Sequence, residues 1–173
     1  MSNRSIVSQF ISFLTYVGLQ ALLLNNFILY DTAFCFLYVA FLLLLPMETG
    51  YLLIMMLGFV TGFSIDIITD TGGIHASACV LLAWLRNYWI GFLTPQGGYD
   101  LGASISVKNM GLQWFTVYAF PLLFLHHIIV FFVEALGSRF FFDTLLKVTL
   151  SALLNYLMLV IVQYAFYKKT RSL

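Results

Sequence analysis

The sequence predicts an all-α, polytopic integral membrane protein: one transmembrane domain, residues 1–173, built as a compact bundle of about six helices. Two observations predict this class. Hydrophobic residues make up 62% of the chain and charged residues 9%, whereas a soluble domain is roughly half apolar and a quarter charged. The apolar residues also form long runs separated by short polar turns. The lipid bilayer is thus an expected partner, and a net charge of +1 offers no basic surface for nucleic acid.

The first predicted span covers residues 6–24 and follows Arg4. Its apolar run is longer than the roughly 7–15 residues of a signal peptide, and no A-x-A cleavage site follows, so a retained helix is expected. One face of this span is mildly polar and is expected to face protein. The second predicted span, residues 32–45, is short, rich in Phe and Leu, and ends at Pro46.

The third and fourth predicted spans cover residues 51–68 and 76–92. A break at residues 71–73 separates them, because its two glycines can adopt backbone angles that other residues avoid. The fourth span begins with four small residues, 76–79, which suit close packing against the third span.

The fifth and sixth predicted spans cover residues 112–133 and 142–167 and follow a long polar loop. Pro121 is expected to kink the fifth span. In the sixth span, three side chains spaced by four residues mark one polar face: Lys147, Ser151 and Asn155.

Six spans place both termini on one side of the membrane, and the positive-inside rule indicates which side. Most basic residues fall on the side of the termini: Arg4, Lys108, Lys168, Lys169 and Arg171. Only Arg139 and Lys147 fall on the other side. Both termini are therefore predicted to be cytoplasmic. If residues 32–45 did not cross, the N-terminus would move to the opposite side.

Polar residues concentrate near the end of the third span. Gly58, Gly62, Asp66 and Asp70 follow one another in four-residue steps and so share one helix face. The two glycines form a small-xxx-small surface, which predicts close packing of another helix, either within the bundle or from a partner. A charge in the membrane is costly and usually has a function. Asp66 is expected to support that packing, and the alternative is a proton or ion site.

Asp70, Gly73 and His75 form a predicted polar cluster at the turn that follows. Asp70 is expected to cap the break at residues 71–73. A hydrogen bond between Asp70 and His75 is favoured over a metal site, because zinc needs three or four ligands and this turn provides two.

Four further polar residues are predicted within or near the membrane: Arg86, His126, His127 and Glu134. Arg86 lies among three aromatic residues, which predicts an interfacial belt where its guanidinium reaches the membrane surface. Pairing with an acid or a lipid headgroup is the alternative. His126 and His127 point about 100° apart on a helix, so hydrogen bonds between helices are expected rather than a shared metal.

Common catalytic motifs are missing from the sequence. It contains no G-x-S-x-G, no Walker loop and no H-E-x-x-H. Cys35 and Cys79 lie far apart without a C-x-x-C pair and are expected to be small buried hydrophobes. A protein that is not an enzyme and holds no cofactor or metal is therefore predicted.

An ordered set of residues resembles a known family. Gly58-x-x-x-Gly62-x-x-x-Asp66, followed by a glycine-containing break and His75, is similar to the rod shape-determining protein MreD family. Further positions look like the branch of that family found in Bacteroidota: Thr71-Gly-Gly73-Ile-His75-Ala76, Leu82-Ala83-Trp-Leu-Arg86, Pro95, His126-His127 and Glu134. Length, apolar segments and the basic tail agree as well, so the resemblance covers nearly the whole chain.

The resemblance implies a non-enzymatic scaffold of the cell-elongation machinery in the bacterial inner membrane. Members of the family associate with MreC, whose single membrane span leads to a periplasmic coiled coil. Through MreC they connect to the MreB filament, RodA and its class B penicillin-binding protein. They help to position lateral peptidoglycan synthesis and so maintain cell shape.

The family fold is also similar to the substrate-binding S-components of energy-coupling-factor vitamin transporters, which provides a second hypothesis. Such a subunit would need a polar ligand pocket that opens outward. The sequence offers few residues for it: Asp66, Asp70, His75 and Glu134. The first span also lacks an obvious A-x-x-x-A docking face. The sequence therefore favours the scaffold.

Overall fold

A computed structural model describes residues 3–25, 27–30, 32–99, 104–135 and 141–166, and these residues are mostly helical. The elements are α1 (Asn3–Leu19) with a π-helical continuation (Gln20–Leu24), β1 (Ile28–Leu29), β2 (Ala33–Phe34), α2 (Val39–Leu43), α3 (Tyr51–Thr69), α4 (Ile74–Phe92), α5 (Val107–Met110), α6 (Leu112–Glu134) and α7 (Phe141–Phe166). The two short strands pair antiparallel, with Leu29 opposite Ala33. The predicted all-α class is confirmed for this part of the chain.

In the part of the chain that the structure describes, four helices are long and apolar enough to cross a membrane: Ile6–Leu24, Tyr51–Thr69, Leu112–Glu134 and Phe141–Phe166. They are consistent with a multi-pass membrane protein. α4 has 19 residues and so is about 28 Å long, but His75, Arg86 and Asn87 make it less apolar. The count of six spans stays a prediction.

The long helices pack side by side in alternating directions. α3 and α4 form a hairpin around the turn at residues 70–73, α4 packs on α6, and α6 packs on α7. Trp89, near the end of α4, donates from Nε1 to the carbonyl of Val117, near the start of α6, at 3.0 Å. The bundle therefore has an Asp70 end, which carries the α3–α4 turn, and a Pro46 end, where α3 and α6 begin.

The first and last helices both reach the Pro46 end. Ser8 and Ser12 of α1 line a cavity of about 200 Å³ together with Pro46. Lys108 Nζ of α5 donates to the carbonyl of Tyr164, close to the end of α7, at 3.1 Å. Which side of the membrane this end faces stays a prediction, and several charges on which that prediction depends lie outside the described residues: Arg139, Lys168, Lys169 and Arg171.

The second predicted span is not a continuous helix, so that prediction is wrong. Its residues form β2, an extended stretch and the five-residue α2. We call residues 33–45 the inner segment, because every residue from Leu37 to Leu45 is at most 9% exposed. The long helices surround it, so its side chains form the centre of the hydrophobic core.

The inner segment runs from the Asp70 end to the Pro46 end. Tyr38 contacts His75 near the start of α4, whereas Leu45 contacts Arg86 late in the same helix. The inner segment thus lies alongside α4 from near its start to near its end, and of its residues only 39–43 are helical. A non-helical stretch is tolerated at membrane depth only when it is buried in protein, and this one is.

Candidate functional site

The glycine face predicted on α3 packs against α4 of the same chain. A Cβ atom at Gly62 would overlap the carbonyl oxygen of His75 and lie 2.5 Å from Cα of Ala76. A Cβ atom at Gly58 would lie 2.9 Å from the carbonyl oxygen of Cys79. The two helices can therefore approach this closely only because both positions lack a side chain, and the face is covered within the bundle.

Asp66 caps the start of α4 from the preceding helix. Its Oδ1 accepts a hydrogen bond from the backbone N–H of His75 at 3.0 Å, and its Oδ2 accepts one from Ala76 at 2.8 Å. The hydroxyl of Thr71 donates to Oδ1 at 2.5 Å. The residue before α4 is Gly73, which has no side chain to cap the helix. Asp66 thus satisfies two of the four free N–H groups of α4.

The turn between α3 and α4 depends on left-handed backbone angles. Asp70 ends α3 with a φ of 55°, and Gly73 precedes α4 with a φ of 100°. The predicted hydrogen bond between Asp70 and His75 is wrong. The His75 ring turns inward, where its Nδ1 lies 2.6 Å from the hydroxyl of Tyr38, while Asp70 is exposed.

Tyr38 of the inner segment joins two histidines from different helices. Its hydroxyl lies 2.6 Å from Nδ1 of His75 and 3.0 Å from Nε2 of His126. A hydroxyl has one hydrogen, so it donates to one ring nitrogen and accepts from the other. All three side chains are at most 3% exposed. This contact links α4, α6 and the inner segment near the Asp70 end.

His127 and Asn155 form a second link on the other side of the inner segment. Asn155 Nδ2 lies 3.0 Å from Nε2 of His127 and 2.9 Å from the carbonyl oxygen of Phe34. Asn155 Oδ1 accepts a hydrogen bond from the N–H of Phe36 at 2.7 Å. The amide of Asn155 thus hydrogen-bonds to the extended backbone at Phe34 and Phe36, as a neighbouring strand would.

Two further polar side chains serve the same stretch. Ser151 Oγ accepts from the N–H of Phe34 at 2.9 Å, and Gln20 Nε2 donates to the carbonyl of Cys35 at 2.9 Å. Lys147, on the same face of α7 as Ser151, lies 5.9 Å from the centre of the Phe34 ring. The predicted polar face of the sixth span therefore faces the inner segment.

Arg86 does not reach the membrane surface as predicted; it is fully buried. Its Nη2 donates to the carbonyl of Leu45, and its Nε donates to the hydroxyl of Tyr118 at 2.9 Å. The Tyr118 hydroxyl donates in turn to the carbonyl of Leu43 at 2.8 Å. Arg86 and Tyr118 therefore hold the carbonyl groups where α2 ends, which carry partial negative charge.

Glu134 differs from the other predicted intramembrane residues. It is the last residue of α6 and is exposed at the Asp70 end. Within the described ranges no group of three or more His, Cys, Asp or Glu side chains could hold a metal ion.

Sequence reasoning missed Tyr38 and Tyr118, and it gave Gln20 and Asn155 no specific role. These side chains reach backbone or ring atoms far away along the chain, so no local motif indicates them. The available signal was general: a polar side chain in an apolar span needs a partner.

Among the described residues, Cys79 and His126 most resemble a catalytic pair. The Sγ atom of Cys79 lies 3.8 Å from Nε2 of His126. Both residues are fully buried.

The outer side of α3 and α4 carries a groove of about 930 Å³, and a second groove of about 550 Å³ lies between α4 and α6. Neither groove is lined by Cys79, His126 or Tyr38.

Comparisons with known protein families, curated proteins and solved structures find no match for this chain.

Proposed function

We propose that the chain is a non-enzymatic scaffold of the bacterial cell-elongation machinery, similar to MreD proteins. In this role it lies in the inner membrane with both termini in the cytoplasm and binds the membrane span of MreC. MreC connects it to MreB, RodA and the class B penicillin-binding protein, so it helps to position lateral peptidoglycan synthesis. The proposal starts from the ordered set of residues that resembles the family.

The arrangement of those residues supports the proposal. Gly58 and Gly62 lie against α4, Asp66 caps α4, and His75, Arg86 and His126 contact the inner segment. These side chains attach the α3–α4 hairpin to the interior of the bundle. A membrane domain in which most buried polar atoms are hydrogen-bonded internally suits a protein whose function is to position partners.

The closed interior supports a role without catalysis. The Cys79–His126 pair is enclosed by packed side chains, and neither groove on the outer surface reaches it. A nucleophile and its base need room for a reacting atom beside them. Under the proposal these two residues are therefore structural.

The alternative function, the substrate-binding subunit of an energy-coupling-factor vitamin transporter, requires a ligand site within the bundle. The inner segment occupies the middle of the bundle with buried side chains such as Leu42 and Leu43. Both oxygens of the Asp66 carboxylate already accept hydrogen bonds from α4. These two observations favour the scaffold.

Affinity purification from native membranes, followed by mass spectrometry, tests the proposal. The expected result is recovery of the cell's MreC homologue together with RodA and a class B penicillin-binding protein. Depletion of the protein should turn rod-shaped cells round. Recovery of an ATPase pair with a second membrane subunit, and unchanged cell shape on depletion, would contradict the proposal and support the transporter.

A further inference from the structure

The groove on the outer side of α3 and α4 is shaped for an elongated apolar partner. It is lined along its length by Met55, Phe59, Phe63 and Ile67 of α3 and by Val80, Leu81 and Trp84 of α4. From Met55 to Ile67 it extends about 18 Å, or roughly three turns of a helix. The rings of Phe59 and Phe63 stack at 5.5 Å and are about half exposed. The groove therefore matches the length of a helix segment within the membrane.

The two ends of this groove differ in charge. Asp66 and Asp70 are its ionisable lining residues, and both lie at the Asp70 end. The Asp66 carboxylate is buried and capped by α4, but Asp70 is exposed at the rim. Of the residues that the structure describes, no Lys or Arg lines the groove. The carboxylate of Asp70 therefore favours a cation at this end of whatever occupies the groove.

This charge pattern selects among the possible occupants. An anionic phospholipid would bring its phosphate close to Asp70, which is repulsive. A second copy of the chain is the other protein that could supply a cation at this end, from Lys147, which already lies over the Phe34 ring, or from Arg139, which lies outside the described residues; the crosslinking experiment below separates it from a different partner. The small residues Gly72, Gly73 and Ala76 in the lining allow a helix backbone to come close at this end.

We propose that the α3–α4 groove binds one transmembrane helix of a partner protein, apolar for about three turns and carrying a Lys or Arg where it emerges at the Asp70 end. The inference rests on the proposed function, in which the partner has a single span. It moves the predicted partner face from the Gly58–Gly62 surface, which α4 covers, to the aromatic outer side of the same hairpin.

Site-specific photo-crosslinking tests the groove in the full-length protein within native membranes. The photoreactive amino acid p-benzoylphenylalanine replaces Phe63 in the groove. The same amino acid at Phe92, an exposed aromatic position that lines the second groove, is the matched control. With the cell's full-length MreC homologue as the probe, we expect an adduct from position 63, at the partner's membrane span, and little or none from position 92.

A charge exchange tests the role of Asp70. Asp70→Lys should lower recovery of the partner by about fivefold, the effect expected when one exposed ion pair becomes a like-charge contact. Glu134→Lys, an equal change at the same end of the bundle but outside the groove, should leave recovery unchanged. Replacing the partner's basic residue at the end of its span by Asp should restore recovery with Asp70→Lys.

The outcomes separate this inference from the proposed function. If the partner is recovered but crosslinks equally from position 92, or if position 63 captures only lipid or a second copy, the groove is not its site and the scaffold stands. If Asp70→Lys and Glu134→Lys have equal effects, the charge assignment is wrong. If the wild-type protein recovers no such partner, the proposed function fails together with the inference.

Discussion

Asp66 is a costly polar residue within an apolar helix, and its carboxylate caps the helix that follows. Its two oxygens accept hydrogen bonds from the N–H groups of His75 and Ala76, and its negative charge lies at the positive end of the α4 dipole. Capping interactions of this kind contribute about 0.5–2 kcal/mol.

Substitutions of Asp66 should therefore follow hydrogen-bonding capacity. Asp66→Leu removes both acceptors and should lower the free energy of unfolding by about 1–3 kcal/mol, because it leaves buried donors unpaired. Asp66→Asn keeps one acceptor and should lose less. The unfolding temperature of purified protein, together with restoration of rod shape in depleted cells, measures both variants. Equal and complete loss of shape with unchanged stability would instead indicate an ionisable function.

The sequence located Asp66, Gly58 and Gly62 correctly as packing residues because their signal is local. Four-residue spacing places them on one helix face, and the helix that follows is the nearest one to pack there. Arg86 was placed at the wrong depth for the opposite reason. Its aromatic neighbours in sequence suggested the membrane surface, but its partners are the carbonyl of Leu45 and the hydroxyl of Tyr118.

At the scale of elements, the α3–α4 hairpin is the closest contact between helices. Gly62→Ala should lower the free energy of unfolding by about 1–3 kcal/mol or more, because its Cβ would meet the backbone of α4. Gly58→Ala should cost less, since its nearest neighbours lie farther away. Thermal unfolding in one detergent compares them with Gly91→Ala, where nothing lies within 4 Å of the added Cβ. Gly91→Ala should be neutral or slightly stabilising, and a loss as large as that of Gly62→Ala would contradict the packing account.

The inner segment is the element that the sequence could not predict. A run of 13 apolar residues is too short for a full helical span and does not reveal its conformation by periodicity. Its path depends on side chains from four other segments, including Gln20, Arg86, Tyr118 and Asn155. Each of these side chains forms a hydrogen bond with a backbone group of the inner segment. In a continuous helix, that backbone group would have bonded to another backbone group instead. The apolar run was therefore visible in the sequence, but its conformation was not.

For the whole molecule, the positions of the five long helices follow from the apolar runs and their polar breaks, as predicted. The inner segment still connects the two ends of the bundle, so an even number of passes remains the prediction. The absence of a continuous helix in residues 32–45 therefore does not change the predicted side of the N-terminus. Both termini remain predicted on one side of the membrane.

Cysteine labelling tests this topology. Glu134→Cys at the Asp70 end should react with a membrane-impermeant thiol reagent applied from the periplasmic side. Gln96→Cys at the Pro46 end should react only after the membrane is permeabilised, because the basic residues predict a cytoplasmic location. Cys35 and Cys79 are buried and should give little background. Labelling of both positions from one side, or the reverse pattern, would refute the predicted orientation.

We propose that the buried polar side chains hold the inner segment in place and perform no reaction or transport. The variant Tyr38→Phe separates these roles, because it removes only the hydroxyl between His75 and His126. A lost buried hydrogen bond costs about 1–3 kcal/mol, so the unfolding temperature should fall by about 2–10 °C. We expect this fall together with full restoration of rod shape in depleted cells while the protein remains folded. An unchanged unfolding temperature with loss of rod shape would instead assign the hydroxyl a chemical role.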